Sequence, residues 1–257
     1  MAVQWGKMIA DLSQVELAAA EGFDFVQPVR DLALDLGEEE VSKIKARIAG
    51  GGLPLRVCAL PLPADARVTQ KGFNIYVWVE HLKKAANRMA QLGCRKFVWS
   101  DGRARLLPVE GATAGFAEQA RQFLSMLCRA TADFDMSVLI EPLGPKRTNF
   151  LNTMKETGDF LSRVGVDNLL ISLSLRELEP IGLPSSDLSE YGQQIGHVHF
   201  DNPGFYEGAR ICPAPADRFD YGQFIHALQE AGYAAEITLA QDADADRLAY
   251  CRELWNG

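Results

Sequence analysis

Glu141 closes an apolar run, Val138-Leu139-Ile140, and is followed at once by Pro142. The proline removes a backbone donor and stops a strand ladder there, so the run ends on an acid. A carboxylate in that position can bind a cation or exchange a proton with a substrate. A second stretch of this kind reads Gly196-His197-Val198-His199-Phe200-Asp201. Alternate residues of a regular strand share a face, which groups His197, His199 and Asp201. His199 then stands at the strand end, and His197 lies one layer deeper as a structural imidazole. An imidazole and a carboxylate converging at one mouth could hold a divalent metal or move a proton.

Other residues could complete such a site, each with a plainer role beside it. Asn149 is a candidate contact for a substrate hydroxyl or a cap for the following helix. Asp101, in Trp99-Ser100-Asp101-Gly102, carries the same two readings. Asp201 and Asn202 precede Pro203 and Gly204, which is strong turn chemistry, so they serve either substrate or turn. Trp99, Phe205, Tyr206 and Trp5 could wall a sugar or fill the core. Arg103, Arg105 and Arg210 could meet an anionic group or be solvated. Glu141 itself could instead be tied to a loop amide, Lys146 or Arg147.

Glu141 and His199 can meet only if the chain builds strands that end together. Eight short apolar runs recur: AVQWG, FDFVQP, LRVCALP, CRKFVWS, MSVLIEP, NLLISLSL, IGHVHFDN and AAEITLA. Between them lie helical patterns such as SQVELAAAEG, closed by Gly22, and IYVWVEHLKKAANRMAQLG, stopped by Gly93. GEEEVSKIKARIAGGG has acids in its first turn and glycines at its end, as the helix dipole and cap favour. The segment SSDLSEYGQQ reads as a short polar connection. Strand and helix alternate without a linker, which predicts an α/β fold, a single (β/α)8 TIM barrel forming one domain over residues 1–257. An open doubly wound sheet is the alternative. No G-x-G-x-x-G turn, Walker loop or G-x-S-x-G elbow occurs, so no nucleotide cofactor is expected.

Composition narrows the partners. With 34 acidic against 26 basic residues and a net charge of -8, the chain opposes a phosphate backbone, and nucleic acid is not expected as a partner. No basic leader with an apolar block and no long apolar run is present, which predicts no membrane span and a cytoplasmic protein. Five scattered cysteines lack a C-x-x-C pair and read as reduced thiols.

The runs ELAAAEGFDFVQ, ALPLPAD, IEPLGPKRTNFLNT, IGHVHFDN and DYGQFIHALQEAGY, in this order, resemble the xylose-isomerase-like TIM barrels of the sugar phosphate isomerase/epimerase family. The resemblance implies a divalent metal (Mn, Mg, Co or Zn) held by Glu, Asp, His and Glu at four strand ends. It places the first ligand on Glu141 and the third on His199. The second position reads Ser174, or Ser172 after a slip of two, and the fourth reads Ala240. Glu236 is about 13 Å back along its strand, and Asp242 would have to reach in from a loop. Phe205 stands where an Arg is common, and Gln27 where many relatives carry Glu. Glu177 stands where the resemblance expects a neutral imidazole.

In that family the metal polarises a carbonyl while two glutamates move the neighbouring proton. One carboxylate and one imidazole are a sparse donor set for a hard ion. A metal-independent pair is the other route, because Glu177 beside Glu141 would raise one carboxyl pKa. The sequence therefore predicts proton transfer beside the carbonyl of a small sugar or polyol-like substrate. Glu141, His199 and Glu177 are the candidate catalytic residues, and Asn149, Asp101, Asp201, Trp99 and Phe205 the candidate substrate contacts. The alternative is a catalytically silent barrel that binds a ligand or a partner. The resemblance also implies pairing into a homo-oligomer.

Overall fold

A parallel strand covered by helices outside and side chains inside is buried on both faces, so it reads as a continuous apolar run. The computed structural model, which describes residues 3–29, 37–50, 52–109, 113–181 and 185–257, places a strand in each of the eight runs. They are β1 (Gln4–Ile9), β2 (Phe25–Pro28), β3 (Val57–Ala59), β4 (Lys96–Trp99), β5 (Ser137–Ile140), β6 (Leu169–Ser174), β7 (Ile195–His199) and β8 (Glu236–Leu239). Ala2 of the first run and Gly51 of the glycine stop lie outside the described residues.

The strands form one parallel sheet in the order β2-β1-β8-β7-β6-β5-β4-β3. Its two ends meet through a single bridge, Val26 with Leu55, where Val26 N–H donates to Pro54 O at 3.0 Å. That contact closes the cylinder: the chain is a (β/α)8 TIM barrel, and the open-sheet alternative falls. Inside it, Phe25, Val57, Val98 and Leu139 form a small apolar cluster with Leu170 against it. A larger core packs the outer faces of the strands against the helices.

The helices are α1 (Val15–Ala20), α2 (Glu38–Ala49), α3 (Ile75–Gln91), α4 (Thr113–Ala132), α5 (Met154–Val164), α6 (Leu175–Ile181), α7 (Ser185–Tyr191), α8 (Tyr221–Glu230) and α9 (Ala245–Asn256). Their ends follow local chemistry. Thr153 caps α5 by accepting the Glu156 N–H at 3.1 Å, and Gly165 ends it in the left-handed region at φ 68°. The sequence reading is corrected in two places. SSDLSEY is a helix, α7, and a further helix, α6, starts directly where β6 stops.

One irregularity aims the site. Between β6 and β7 the register shifts, so that Ile171 faces Ile195 but Ser172 faces His197. Gly196 is the extra residue of this bulge. After it, His197 and His199 stand opposite Ser172 and Ser174.

Candidate active site

The mouth of the barrel gathers the carboxyl ends of the strands, and Glu141, immediately after β5, is fully buried there at 0% exposure. His199, at the end of β7, places Nδ1 at 2.9 Å from Glu141 Oε2. An ionised carboxylate only accepts, so Nδ1–H donates to it. The other ring nitrogen, Nε2, lies 3.0 Å from Gln27 Nε2 and 3.1 Å from Gln27 Oε1 at the end of β2. That amide can donate to a bare Nε2 or accept from a protonated one, so it suits both charge states of the ring.

The second oxygen of Glu141 is taken by an arginine from the loop after β7. Arg210 Nη2 donates to Glu141 Oε1 at 3.0 Å, and Nη1 donates to Ser174 Oγ at 2.7 Å and to Asp201 Oδ2. One guanidinium thus joins the ends of β5, β6 and β7. Asp201 also accepts the Arg176 N–H at 3.1 Å through Oδ1, which ties it to the first turn of α6. Burial alone would raise the Glu141 pKa, yet the Arg210 charge and His199 hold it down at about 2. Burial likewise opposes the Arg210 charge, and Asp201 and Glu141 reverse this to leave its pKa above the usual value.

Glu177 is buried on α6 and pairs with Arg147 at 2.7 Å. Burial first, and then the Glu141 charge, raise its pKa above the usual carboxylate value, against the pull of Arg147. Arg105 is fully buried, donates to the Glu141 carbonyl and is lowered to about 10 by burial. His197 sits one layer down, 3.0 Å from Thr238 Oγ1, and burial pushes its pKa well below the usual value.

Two cavities share the walls Ala59, Val98 and Ser100 and form a cleft across the mouth. The first, of about 330 Å³, is lined by Met8, Gln27, His199, Arg210 and Gln241 among others. The second, of about 430 Å³, is lined by Trp99, Asp101, Arg103, Lys146 and Arg147 among others. The cleft is the size of a small polar ligand.

The structure brings together Glu141, His199, Asp201 and Glu177 but redistributes their positions. Glu141 does not face the cleft. It lies beneath His199 and Arg210, because both of its oxygens are drawn to buried donors. Asp201 is also inside, held by Arg210 and Arg176, and Asn202 forms the expected turn by accepting the Gly204 N–H at 2.8 Å. Asp101 lines the cleft, whereas Trp99 borders it with its side chain buried at 1% exposure, edge-on to Phe123 in the outer core. Asn149 spends its amide on the Leu107 backbone, accepting at 2.8 Å and donating at 2.9 Å, so the loop after β4 consumes the expected hydroxyl contact. Phe205 is 50% exposed on the turn after β7 and is not among the residues lining the two cavities. Trp5 belongs to the core, edge-on to Phe200 and Trp255. Asp242 turns to the Cys212 N–H at 2.9 Å and does not reach in.

Arg147, Ser100 and Gln241 also line the cleft and have no site role in the sequence analysis. Arg147 has a local signal, six residues beyond Glu141, whereas the others are placed by loops whose course depends on the whole barrel.

The donor set does not fit the metal that the resemblance implies. Among the described residues no group of three His, Cys, Asp or Glu could hold a metal ion. Ser174 and Ala240 stand at two of the four ligand positions, and both nitrogens of His199 and both oxygens of Glu141 are engaged by other side chains. Moreover, the Arg210 cation already stands among these groups.

Known structures repeat the fold. A structure of D-psicose 3-epimerase determined in the presence of D-fructose superposes with a TM-score of 0.83 at 15% identity, covering 99% of this chain and 100% of that one. The E. coli 3-keto-D-glucoside 4-epimerase gives 0.77 at 16% identity, over 98% and 99% of the two chains. An L-ribulose 3-epimerase gives 0.75 at 20% identity, over 100% and 88%. Comparison with curated protein sequences found no match. The model of the xylose isomerase-like TIM barrel family matches residues 15–252, and the chain belongs to that family.

Proposed function

We propose that this protein moves a proton at the carbon beside a carbonyl of a small sugar or polyol-like substrate, as a sugar isomerase or epimerase. The observation that carries the proposal is His199, held between Glu141 and Gln27 with its ring on the wall of the cleft. In this reading Nε2, released from the Gln27 amide, takes the proton. The C–H electron pair forms a carbon–carbon double bond, and the carbonyl π pair moves to oxygen. Glu141, ionised beneath the ring, stabilises the imidazolium that results. Protonating the neighbouring carbon, while the hydroxyl proton passes from one enediol oxygen to the other, gives the isomer, and a proton delivered from solvent to the opposite face of the original carbon gives the epimer. His199 lies on the cleft wall, while Glu177 stands behind Arg147 as a second carboxyl whose pKa burial and the Glu141 charge raise.

Asp101 is the proposed substrate contact, as a hydroxyl acceptor on the cleft wall. The substrate class follows the solved relatives, whose own activities are on D-psicose, L-ribulose and a 3-keto-D-glucoside. The test follows loss of carbon-bound hydrogen from a panel of ketoses and aldoses in deuterium oxide by proton NMR. His199→Asn and Glu141→Gln are each expected to slow exchange by roughly 100-fold or more. Full exchange in both variants overturns the assignment. Absence of exchange in the wild type across the panel would favour a ligand-binding barrel.

A further inference from the structure

The divalent ion of such a site has one task that His199 cannot perform: it supplies positive charge at the substrate oxygen. We propose that the Arg210 guanidinium is the fixed cation of this site and takes the place of a divalent metal, polarising the carbonyl on which the proton-transfer reading rests.

The placement supports this from several directions. Arg210 reaches in from the loop after β7 and bonds to side chains at three strand ends, Glu141, Ser174 and Asp201. Two of these, Glu141 and Ser174, stand at positions where the family resemblance sets metal ligands. At the β6 position the carboxylate has become a hydroxyl. A serine hydroxyl is a good acceptor for an arginine N–H and, kept neutral, a weak ligand for a divalent ion. Ala240 removes the acid expected at the end of β8, so less negative charge is left for a doubly charged ion.

The remaining carboxylates balance a guanidinium instead. Glu141 and Asp201 flank it, and the planar fork matches carboxylate geometry. His199 turns Nδ1 to Glu141 and Nε2 to Gln27, not toward a shared centre with Arg210. A metal entering between Glu141 and His199 would meet the arginine charge at close range and would have to displace two hydrogen bonds from Glu141.

Arg210 is placed to act on the substrate as well. It lines the same cavity as His199, Gln27 and Gln241. Nη1 is committed to Ser174 and Asp201 and Nη2 to Glu141, which holds the group against the cavity it lines and leaves the second Nη2 hydrogen outside these three bonds. A preoriented donor of this kind stabilises negative charge as it develops on a carbonyl oxygen, and no ion need be recruited.

Two measurements test the proposal, and one of them does not depend on turnover. Wild-type protein, stripped with EDTA and titrated with Mn²⁺ under electron paramagnetic resonance, is expected to show no site abolished by Glu141→Gln. A stoichiometric Mn²⁺ site that Glu141→Gln removes overturns the proposal. In deuterium exchange, the stripped wild type is expected to keep its full rate. Arg210→Ala should lose roughly 100-fold, regain part of that in millimolar guanidinium chloride, and regain none with Mn²⁺. Full activity in Arg210→Ala, or restoration by Mn²⁺, overturns it. Arg210→Met keeps more of the packing and serves where the alanine variant fails to fold. If the wild type exchanges no sugar, the proton-transfer reading fails by itself, and the Mn²⁺ titration alone decides whether Arg210 is the cation of the site.

Discussion

Replacing Glu141 by glutamine keeps its shape and removes its charge, which separates packing from electrostatics at the deepest residue of the site. The folded carboxyl has a pKa of about 2 against an ordinary 4.5. As pH falls, the unfolded chain therefore takes the proton first. The stabilisation is complete above about 4.5 and is lost as pH falls from there through about 2. Its full size is on the order of 3 kcal/mol. Glu177 works in the opposite sense, because its raised pKa means that protonation relieves a cost of burial. Comparing wild type with Glu141→Gln cancels the part of that contribution due to burial and leaves the part due to the Glu141 charge. In urea denaturation the gap between the two is expected to narrow by about 2 kcal/mol between about pH 7 and about pH 3. A gap that stays constant would show that the charge on Glu141 does not stabilise the fold, and the ionised dyad with His199 would lose its basis.

At the scale of elements, the bulge in β7 connects sequence to site. Gly196 is the extra residue, and a Cβ there would lie 2.7 Å from Leu170 Cδ1 and 3.2 Å from Leu139 Cδ2, inside the barrel. Gly196→Ala should cost about 1–3 kcal/mol as the leucines are forced to shift, lowering the melting temperature by roughly 2–12 °C on calorimetry. Because the same bulge sets the direction of His199, proton exchange should fall as well. A variant of unchanged stability and rate would refute this account of the bulge. The strand itself was legible in the sequence, since alternate residues of GHVHFD carry its chemistry and a buried parallel strand must be apolar elsewhere. The bulge was not, because it depends on pairing with β6. Helix α6 was hidden for a similar reason: ISLSLRE continues the alternation of a strand, and only the structure shows the chain turning helical at Leu175. That turn carries Glu177 under Arg147 instead of onto the cleft wall. Arg210 was visible as a cation able to meet an anionic group, but nothing local says that a loop residue eleven positions after His199 folds back onto Glu141.

For the whole molecule, the closed cylinder is uneven in a way that bears on the cleft. Strands β4 and β5 pair over four residues from Lys96↔Ser137 to Trp99↔Ile140, whereas β2 meets the segment leading into β3 through the bridge of Val26 with Leu55. The bonds at that seam are Val26 N–H to Pro54 O at 3.0 Å and Arg56 N–H to Val26 O at 3.3 Å. Barrel closure thus has a short ladder on the side that carries Gln27, and a long one beneath Glu141. Local opening follows the least supported backbone, so the seam is the place for the barrel to breathe. Such opening would draw Gln27 away from His199 Nε2 and expose the ring nitrogen that the proposed proton transfer requires, while Glu141 and Arg210 stay fixed. Hydrogen exchange read by mass spectrometry should show amides in Phe25–Pro28 exchanging before those in Ser137–Ile140. The reverse order would mean that the barrel loosens beneath its carboxylate, and a rigid Glu141–Arg210 frame would then be the wrong picture of how the site is held.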